Sequence, residues 1–358
     1  MINVTKTFLP PQEEYQAILK RAWDTGWMTN RGVLVKELEV KLKDYLQVPN
    51  IIAMTNGTLP LQIAIKALGL TGEIITTPFS YVATTSSIIW EGCTPVFVDI
   101  HPEYLTIDET KIEAAITSKT SAILATHVFG NPCDVEVIEK IAKKHDLKII
   151  YDAAHCFGVK YKGQSLFNYG DVSTCSFHAT KLFHTGEGGA LFCNSEYFET
   201  MYSKHNFGHD GPEKFQGLGI NAKMSEPQAA MGLAVFNHLN EIFESRKKIV
   251  QLYQELLDDS DFKFLKIRES TEWNYHYFPV IFKTEEDLLL AKERLNKIDV
   301  FPRRYFYPSL NTIDYLNGSN TCTISESISE RVLCLPLFVG LENVWVERII
   351  NQIKNDDR

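Results

Sequence analysis

The sequence predicts an α/β protein, with a larger unit built on a mostly parallel sheet and a smaller α+β unit after it. Three observations carry this. Short, unbroken apolar runs rich in β-branched residues alternate with amphipathic stretches between residues 51 and 151, as expected of strands covered by helices on both faces. A chain of 358 residues exceeds one minimal core, so two packed units are expected. After about residue 225 the texture changes to long helical stretches rich in Ala, Leu, Glu and Lys. The boundary is placed near residue 240, giving units of 1–240 and 241–358.

Pro10-Pro11 stops any early helix, and residues 12–23 then carry helical spacing, with Tyr15, Ile18, Leu19 and Trp23 on one face. Gly26-Trp27-Met28-Thr29-Asn30-Arg31-Gly32 is a polar turn bracketed by glycines, followed by a second amphipathic helix over residues 34–46. Residues 51–54 form a buried strand and 59–68 a helix, with Pro60 in the first turn where no backbone donor is needed. Strands at 74–77, 94–99, 122–126 and 147–151 alternate with helices at 80–90, 109–116 and 135–145. Residues 225–257 read as one long helix with a soft break at 237–240. A strand at 275–282 and helices at 285–297 and 344–353 make up the second unit.

Composition narrows the function. The formal charge of −9 argues against a nucleic-acid-binding surface, which would cluster Lys and Arg. The N-terminus lacks the layout of a signal peptide, and no apolar run approaches membrane-spanning length. Seven scattered cysteines without a C-x-x-C pair read as small core residues of a reduced compartment, so a cytoplasmic location is expected. No G-x-G-x-x-G follows a strand, no Walker-type loop occurs, and His178 and His184 lack the surrounding ligands of a metal site, so no metal is expected.

In open parallel sheets, ligands bind beyond the carboxyl ends of the strands. The polar groups there are Asn56-Gly57-Thr58, Phe79-Ser80-Tyr81, Asp152-Ala153-Ala154-His155, and the approach from Ser176 to Lys181. Lys181 lies between a hydroxyl-rich approach and the glycine-rich Gly186-Glu187-Gly188-Gly189, among apolar residues. Partial burial disfavours an ammonium, which suits a lysine that must attack a carbonyl. Asn56-Gly57-Thr58 sits where a strand turns into a helix and is either an anion site or a plain cap by Thr58. Asp152 projects from the sheet edge, unless it caps the next turn. Together these groups match the needs of pyridoxal 5′-phosphate: a lysine, a carboxylate for the ring nitrogen, a phosphate cup and a flat group over the ring. Lys181, Asp152, Gly57-Thr58 with Ser176, and Tyr81 or His155 supply them.

At these residues the chain resembles the DegT/DnrJ/EryC1/StrS aminotransferases, pyridoxal-phosphate enzymes of fold type I with the aspartate aminotransferase-like architecture. The resemblance runs nearly end to end. It includes Gly26-Trp27-Met28-Thr29-Asn30, Pro95-Val96-Phe97-Val98-Asp99-Ile100, Asp152-Ala153-Ala154-His155, the lysine stretch, and Gly219-Ile220-Asn221-Ala222-Lys223-Met224-Ser225-Glu226. It implies that Lys181 forms the Schiff base and carries the proton, and that Asp152 meets the pyridine nitrogen. Gly57, Thr58 and Ser176 would contact the phosphate, Tyr81 would cover one face of the ring and His155 the other. Asn221 would reach the phosphate of a neighbouring subunit, which implies a homodimer with shared active sites. Asn56, where Ser is commoner, and Cys156 depart from the pattern. The implied partners are L-glutamate and a nucleotide-linked keto sugar. The opening Thr5-Lys6-Thr7-Phe8 and the late Phe301-Pro302-Arg303-Arg304-Tyr305-Phe306-Tyr307-Pro308 are similar to enzymes that aminate C-4 of dTDP-4-keto-6-deoxyglucose. Thr29, Arg303, Arg304, Tyr305 and Tyr307 are the substrate candidates, Arg and Tyr suiting a diphosphate and a base. The alternative for the last four is a solvated strand with an aromatic core side. Amination at C-3, or a binding protein without turnover, are the rival functions. Related dehydratases carry histidine in place of the lysine, so Lys181 favours transamination.

Overall fold

Seven strands form the sheet that carries the site: β1 (Ile51–Met54), β2 (Glu73–Thr76), β3 (Thr94–Phe97), β4 (Thr120–Thr126), β5 (Lys148–Asp152), β6 (Val172–Ser176) and β7 (Gly189–Cys193). The computed structural model describes residues 1–257, 262–316 and 320–354, so the tail of the predicted second unit, 355–358, lies outside the described residues. The spatial order is β1-β7-β6-β5-β4-β2-β3. The pairs β2–β3, β2–β4, β4–β5 and β5–β6 are parallel, and β7 runs antiparallel to both neighbours. The carboxyl ends of β1, β5 and β6 therefore share one edge, and β7 begins there, with Gly189 opposite both Met54 and Ser176.

Pleating sends neighbouring residues to opposite faces. Ile75, Ile123, Ala125, Ile149 and Tyr151 enter one core with Leu34, Leu38 and Leu42 of α2 (Val33–Leu46), which follows α1 (Gln12–Thr25). Ile74, Ala122, Leu124 and Ile150 enter a second core on the other side, with Leu61, Ile63, Ala64 and Ile65 of α3 (Leu59–Ala67) and Ile88 of α4 (Val82–Trp90). Helix α5 (Val135–His145) adds Ile138 and Ala142 to the first core, and α6 (Ser195–His205) adds Met201 to the second. The predicted helix at 109–116 is a single turn, Glu109–Ile112, continued by a 3₁₀ turn, Glu113–Ala115.

The long stretch at 225–257 is two helices, α7 (Glu226–Phe236) and α8 (Leu239–Leu256), parted at Asn237-His238 within the expected break. A further core starts at Ile249 in α8. It lies on a small antiparallel sheet of β8 (Lys263–Phe264), β9 (Phe278–Ile281) and β10 (Val332–Leu335), joined by α9 (Glu285–Lys297) and α11 (Asn343–Lys354). Helix α10 (Thr323–Arg331) leads into β10.

Two distant stretches of the chain hold each other. Helix α2 starts after Gly32, which has no side chain to cap it. The fully buried Glu226 carboxylate caps it instead, accepting the N–H groups of Leu34 at 2.7 Å and Val35 at 3.2 Å, where the helix dipole also favours an anion. A Cβ at Gly32 would stand 2.7 Å from Glu226 Cδ, so any larger residue there would push the capping carboxylate aside.

The N-terminal arm ties the cores together. Ile2-Asn3 pairs in parallel with Val300-Phe301, the Val4 carbonyl accepts the N–H of Leu337 at 2.9 Å, and His184 Nε2 donates to the Phe8 carbonyl at 2.6 Å. All seven cysteines are buried and unpaired. Among the described residues, no helix is long and apolar enough to cross a membrane.

Candidate active site

At the end of β1 the chain turns sharply into α3. Asn56 Oδ1 accepts the N–H groups of Thr58 and Leu59, both at 2.9 Å, so Asn56 caps the helix while the Thr58 side chain makes no capping bond. Gly57 lies against the end of β6. A Cβ on it would come within 2.8 Å of Ser176 Cβ and 3.0 Å of Ser176 Oγ. Gly189 is as tightly placed, its hypothetical Cβ 2.3 Å from the Asn56 carbonyl oxygen. Two glycines thus let three chain segments meet around a small cradle edged by hydroxyls.

Asp152 is the last residue of β5 and its carboxylate is buried. Oδ1 accepts the N–H of Ala154 at 3.1 Å and Oδ2 accepts the hydroxyl proton of Thr84 at 2.6 Å. The turn-capping bond is therefore made, but it uses only one oxygen. Burial raises the carboxyl above its ordinary range, while the Thr84 hydroxyl, the Ala154 N–H and the Lys181 ammonium pull it back down.

Lys181 sits on the loop between β6 and β7, its N–H donating to the His178 carbonyl at 2.8 Å. Its Nζ lies 5.7 Å from the ring centroid of Tyr277. Desolvation lowers its pKa to about 8, with Asp152 opposing the shift and Arg303 adding to it. A neutral amine is thus within reach near physiological pH. His155 Nδ1 accepts the N–H of Phe129 at 3.2 Å, and burial holds the ring neutral, which leaves its proton on Nε2. The ring lies nearly parallel to Phe306, 7° apart with centroids at 5.8 Å.

A cavity of about 260 Å³ opens between these groups. Gly57, Thr58, Tyr81, Asp152, His155, Ser176 and Lys181 all line it, and Arg303 and Tyr305 reach it from the opposite side. Thr29 and Asn221 are exposed and lie outside this chain's cavity, the latter in a backbone bridge with Asn206. Arg304 and Tyr307 are outside as well. Arg304 donates to Glu285 at 2.6 Å and to the Glu330 carbonyl at 2.9 Å, and stacks on the Tyr307 ring at 3.5 Å. A larger open groove of about 840 Å³ runs past Phe264 and Ile328, remote from this chemistry.

Sequence reasoning did not single out several wall residues. Glu187 lines the cavity from the glycine-rich exit, and His178, weighed in the sequence only against a metal site, lines it from the approach, beside the anticipated hydroxyl of Thr180. Thr84, which holds Asp152, could have been sought four residues after Ser80, on the same face of a helix start. Tyr277 beneath Lys181 left no signal beyond its place in a predicted strand.

The cradle fits a phosphate, and the buried carboxylate opposite a lysine of lowered pKa fits a pyridine ring with a carbonyl beside it. Comparison with known proteins bears on the same point. Residues 11–354 match the DegT/DnrJ/EryC1/StrS aminotransferase family. The chain belongs to that family. It is 41% identical to the dTDP-4-amino-4,6-dideoxy-D-glucose transaminase of Shigella dysenteriae, over 99% of this chain and 98% of the relative. It is 38% identical to the Escherichia coli protein of the same name, over 97% and 96%. Among solved structures, DesI in the presence of its TDP-sugar product superposes with a TM-score of 0.93 at 31% identity, covering 99% of this chain and 92% of that one. The PLP-form of the putative sugar aminotransferase Spr1654 from Streptococcus pneumoniae superposes at 0.89 with 26% identity, over 98% of each chain. The fold is therefore that of a fold-type I aminotransferase, and its cofactor is pyridoxal 5′-phosphate.

Proposed function

We propose that this aminotransferase moves the amino group of L-glutamate to C-4 of a nucleotide-linked 4-keto-6-deoxy sugar. The substrate we assign is dTDP-4-keto-6-deoxyglucose, giving dTDP-4-amino-4,6-dideoxyglucose and 2-oxoglutarate. The observation that carries this reading is near-full-length identity of 41% to a transaminase named for that product. The position of Arg303 and Tyr305 on the cavity wall supports it, since a guanidinium and a phenol suit a diphosphate and a sugar hydroxyl.

Bound pyridoxal phosphate supplies an exchangeable carbonyl and a ring that takes up the electrons of a bond broken at carbon. The chain's residues do the rest. Lys181, neutral once its proton is lost, holds the cofactor at rest and afterwards accepts and returns a proton at Nζ. Asp152 keeps the ring nitrogen protonated, and its burial strengthens that pairing. Gly57, Thr58 and Ser176 hold the phosphate. Tyr81 and His155 bracket the ring. Asn221 and Thr29, exposed in this chain, complete the site of a second copy in a homodimer. The enzyme acts in the cytoplasm, in the supply of amino sugars for glycoconjugates such as the lipopolysaccharide O-antigen.

The test is a panel of dTDP- and UDP-linked 3-keto and 4-keto sugars, each incubated with enzyme and L-glutamate, with products identified by mass and NMR. Amination at C-4 of the dTDP-linked 6-deoxy sugar is expected. A product aminated at C-3, or amination of a UDP sugar alone, would overturn the assignment.

A further inference from the structure

A line of three buried hydroxyls ends on Asp152. Thr84 Oγ1 is 2.6 Å from Asp152 Oδ2, Ser80 Oγ is 2.7 Å from Thr84 Oγ1, and Thr126 Oγ1 is 2.9 Å from Ser80 Oγ. All three side chains are buried, and none lines the cavity. Thr126 ends β4 and is the register partner of Asp152 on β5, while Ser80 and Thr84 flank the start of α4. The line therefore joins two neighbouring strand ends through the first turn of a helix.

The direction of the line is not free. An ionised carboxylate only accepts, and each hydroxyl has a single proton. Thr84 must donate to Asp152, so its oxygen accepts from Ser80. Ser80 has then spent its proton and must accept from Thr126. Every O–H dipole points at the carboxylate, and each bond polarises the next.

We propose that this one-way relay holds Asp152 ionised against its burial, making Thr84, Ser80 and Thr126 positioning residues for the protonation of the cofactor's ring nitrogen. The proposal rests on the role of Asp152 given above. The other titratable groups around Asp152 are Lys181 and the thiols of Cys156 and Cys175, and burial keeps both thiols protonated. Lys181 belongs to the reaction itself and gives up its charge during it, so the constant donors to the carboxylate are the Ala154 N–H on Oδ1 and the hydroxyl line on Oδ2.

The decisive experiment follows the ¹³C carboxyl resonance of Asp152 against pH, in the full-length chain before pyridoxal phosphate is added, with the signal assigned through Asp152→Asn. Ser80→Ala and Thr126→Val should each raise the titration midpoint, Thr84→Val should raise it further, and Thr84→Ser should return it toward the parent. Thr85→Val is the control, because the Thr85 hydroxyl is equally buried but makes no hydrogen bond; its midpoint should not move. With the cofactor restored, Ser80→Ala should lower kcat about threefold to tenfold with KM for glutamate unchanged. Parent-like midpoints in Ser80→Ala and Thr126→Val would overturn the relay. That failure is separable from failure of the functional reading, in which Asp152→Asn itself would leave amino transfer intact.

Discussion

On one side of the cavity, Gly57, Asp152 and Ser176 stand at the ends of buried strands, each fixed by neighbours on several sides. On the other, Arg303 to Tyr307 form an irregular edge beside β10, with Arg303 and Tyr307 exposed. In the first region a residue's type and its place at a strand end leave one position for it. In the second, neighbouring residues turn to different sides, so Arg303 and Tyr305 face the cavity while Arg304 turns to Glu285. Residue types alone cannot say which of two adjacent arginines faces the cavity. The strand-end side is specified by packing, and the side of residues 303–307 by exposure.

That contrast can be tested from its strongest point outward. Lys181→Ala should lower amino transfer by more than about a thousandfold, and borohydride reduction should then trap no covalent cofactor, measured by intact mass. Retained turnover would remove the lysine from the chemistry.

The lowered pKa of Lys181 gives a pH signature. Below about 8 the ammonium dominates, so the rate at which cofactor-free protein captures pyridoxal phosphate should climb toward that pH and level off above it. The same shift bears on stability. With a folded pKa of about 8 below the ordinary 10.5, the unfolded chain binds more protons between those values. This group's contribution to stability therefore rises as pH rises through that window. A capture rate that kept climbing from pH 8 to 10 without levelling would contradict the burial of the ammonium.

Gly57→Ala should weaken pyridoxal phosphate binding by about tenfold, through the clash with Ser176. Adding Ser176→Gly should relieve the clash without restoring binding, because it also removes a hydroxyl from the phosphate cradle; fluorescence titration reads binding and thermal unfolding reads the relief. The smallest effects belong to the exposed edge. Arg303→Ala should raise KM for the nucleotide sugar by about tenfold. Arg304→Ala should change KM by less than about twofold and lower stability by about 1 kcal/mol, since it loses a partly exposed ion pair. Equal KM effects from the two arginines would erase the distinction between the faces.

Much of the architecture was legible because strand and helix periods were clean. Residues 285–297 have the same bounds in sequence and structure, and the break at Asn237-His238 falls within the anticipated window. Helix α6 and strand β7 were not anticipated. The sequence of α6 mixes Ser, Glu, Tyr and His around its few apolar residues, and β7 opens on a glycine that suggests a turn. That glycine is there because the Asn56 carbonyl allows no side chain, a tertiary demand with no local signature. In the site, Lys181 and Asp152 stood out because a strand end or an apolar setting makes a charged residue conspicuous. Thr84 did not, since one buried threonine in VATTSSIIW looks like another until Asp152 is seen beside it. Asn56 illustrates the reverse: it departs from the commoner serine, yet it makes the capping bonds of α3.

The N-terminal arm has a mechanical consequence. Its Val4 carbonyl is fastened to Leu337 and its Phe8 carbonyl to His184, three residues beyond Lys181. Four peptide units separate the two fastenings, and a fully extended chain of that length spans about 14 Å at most. The arm is thus a tether of fixed length between the wall that carries Lys181 and the segment leading from β10. It limits how far the two sides of the cavity can part while both knots hold.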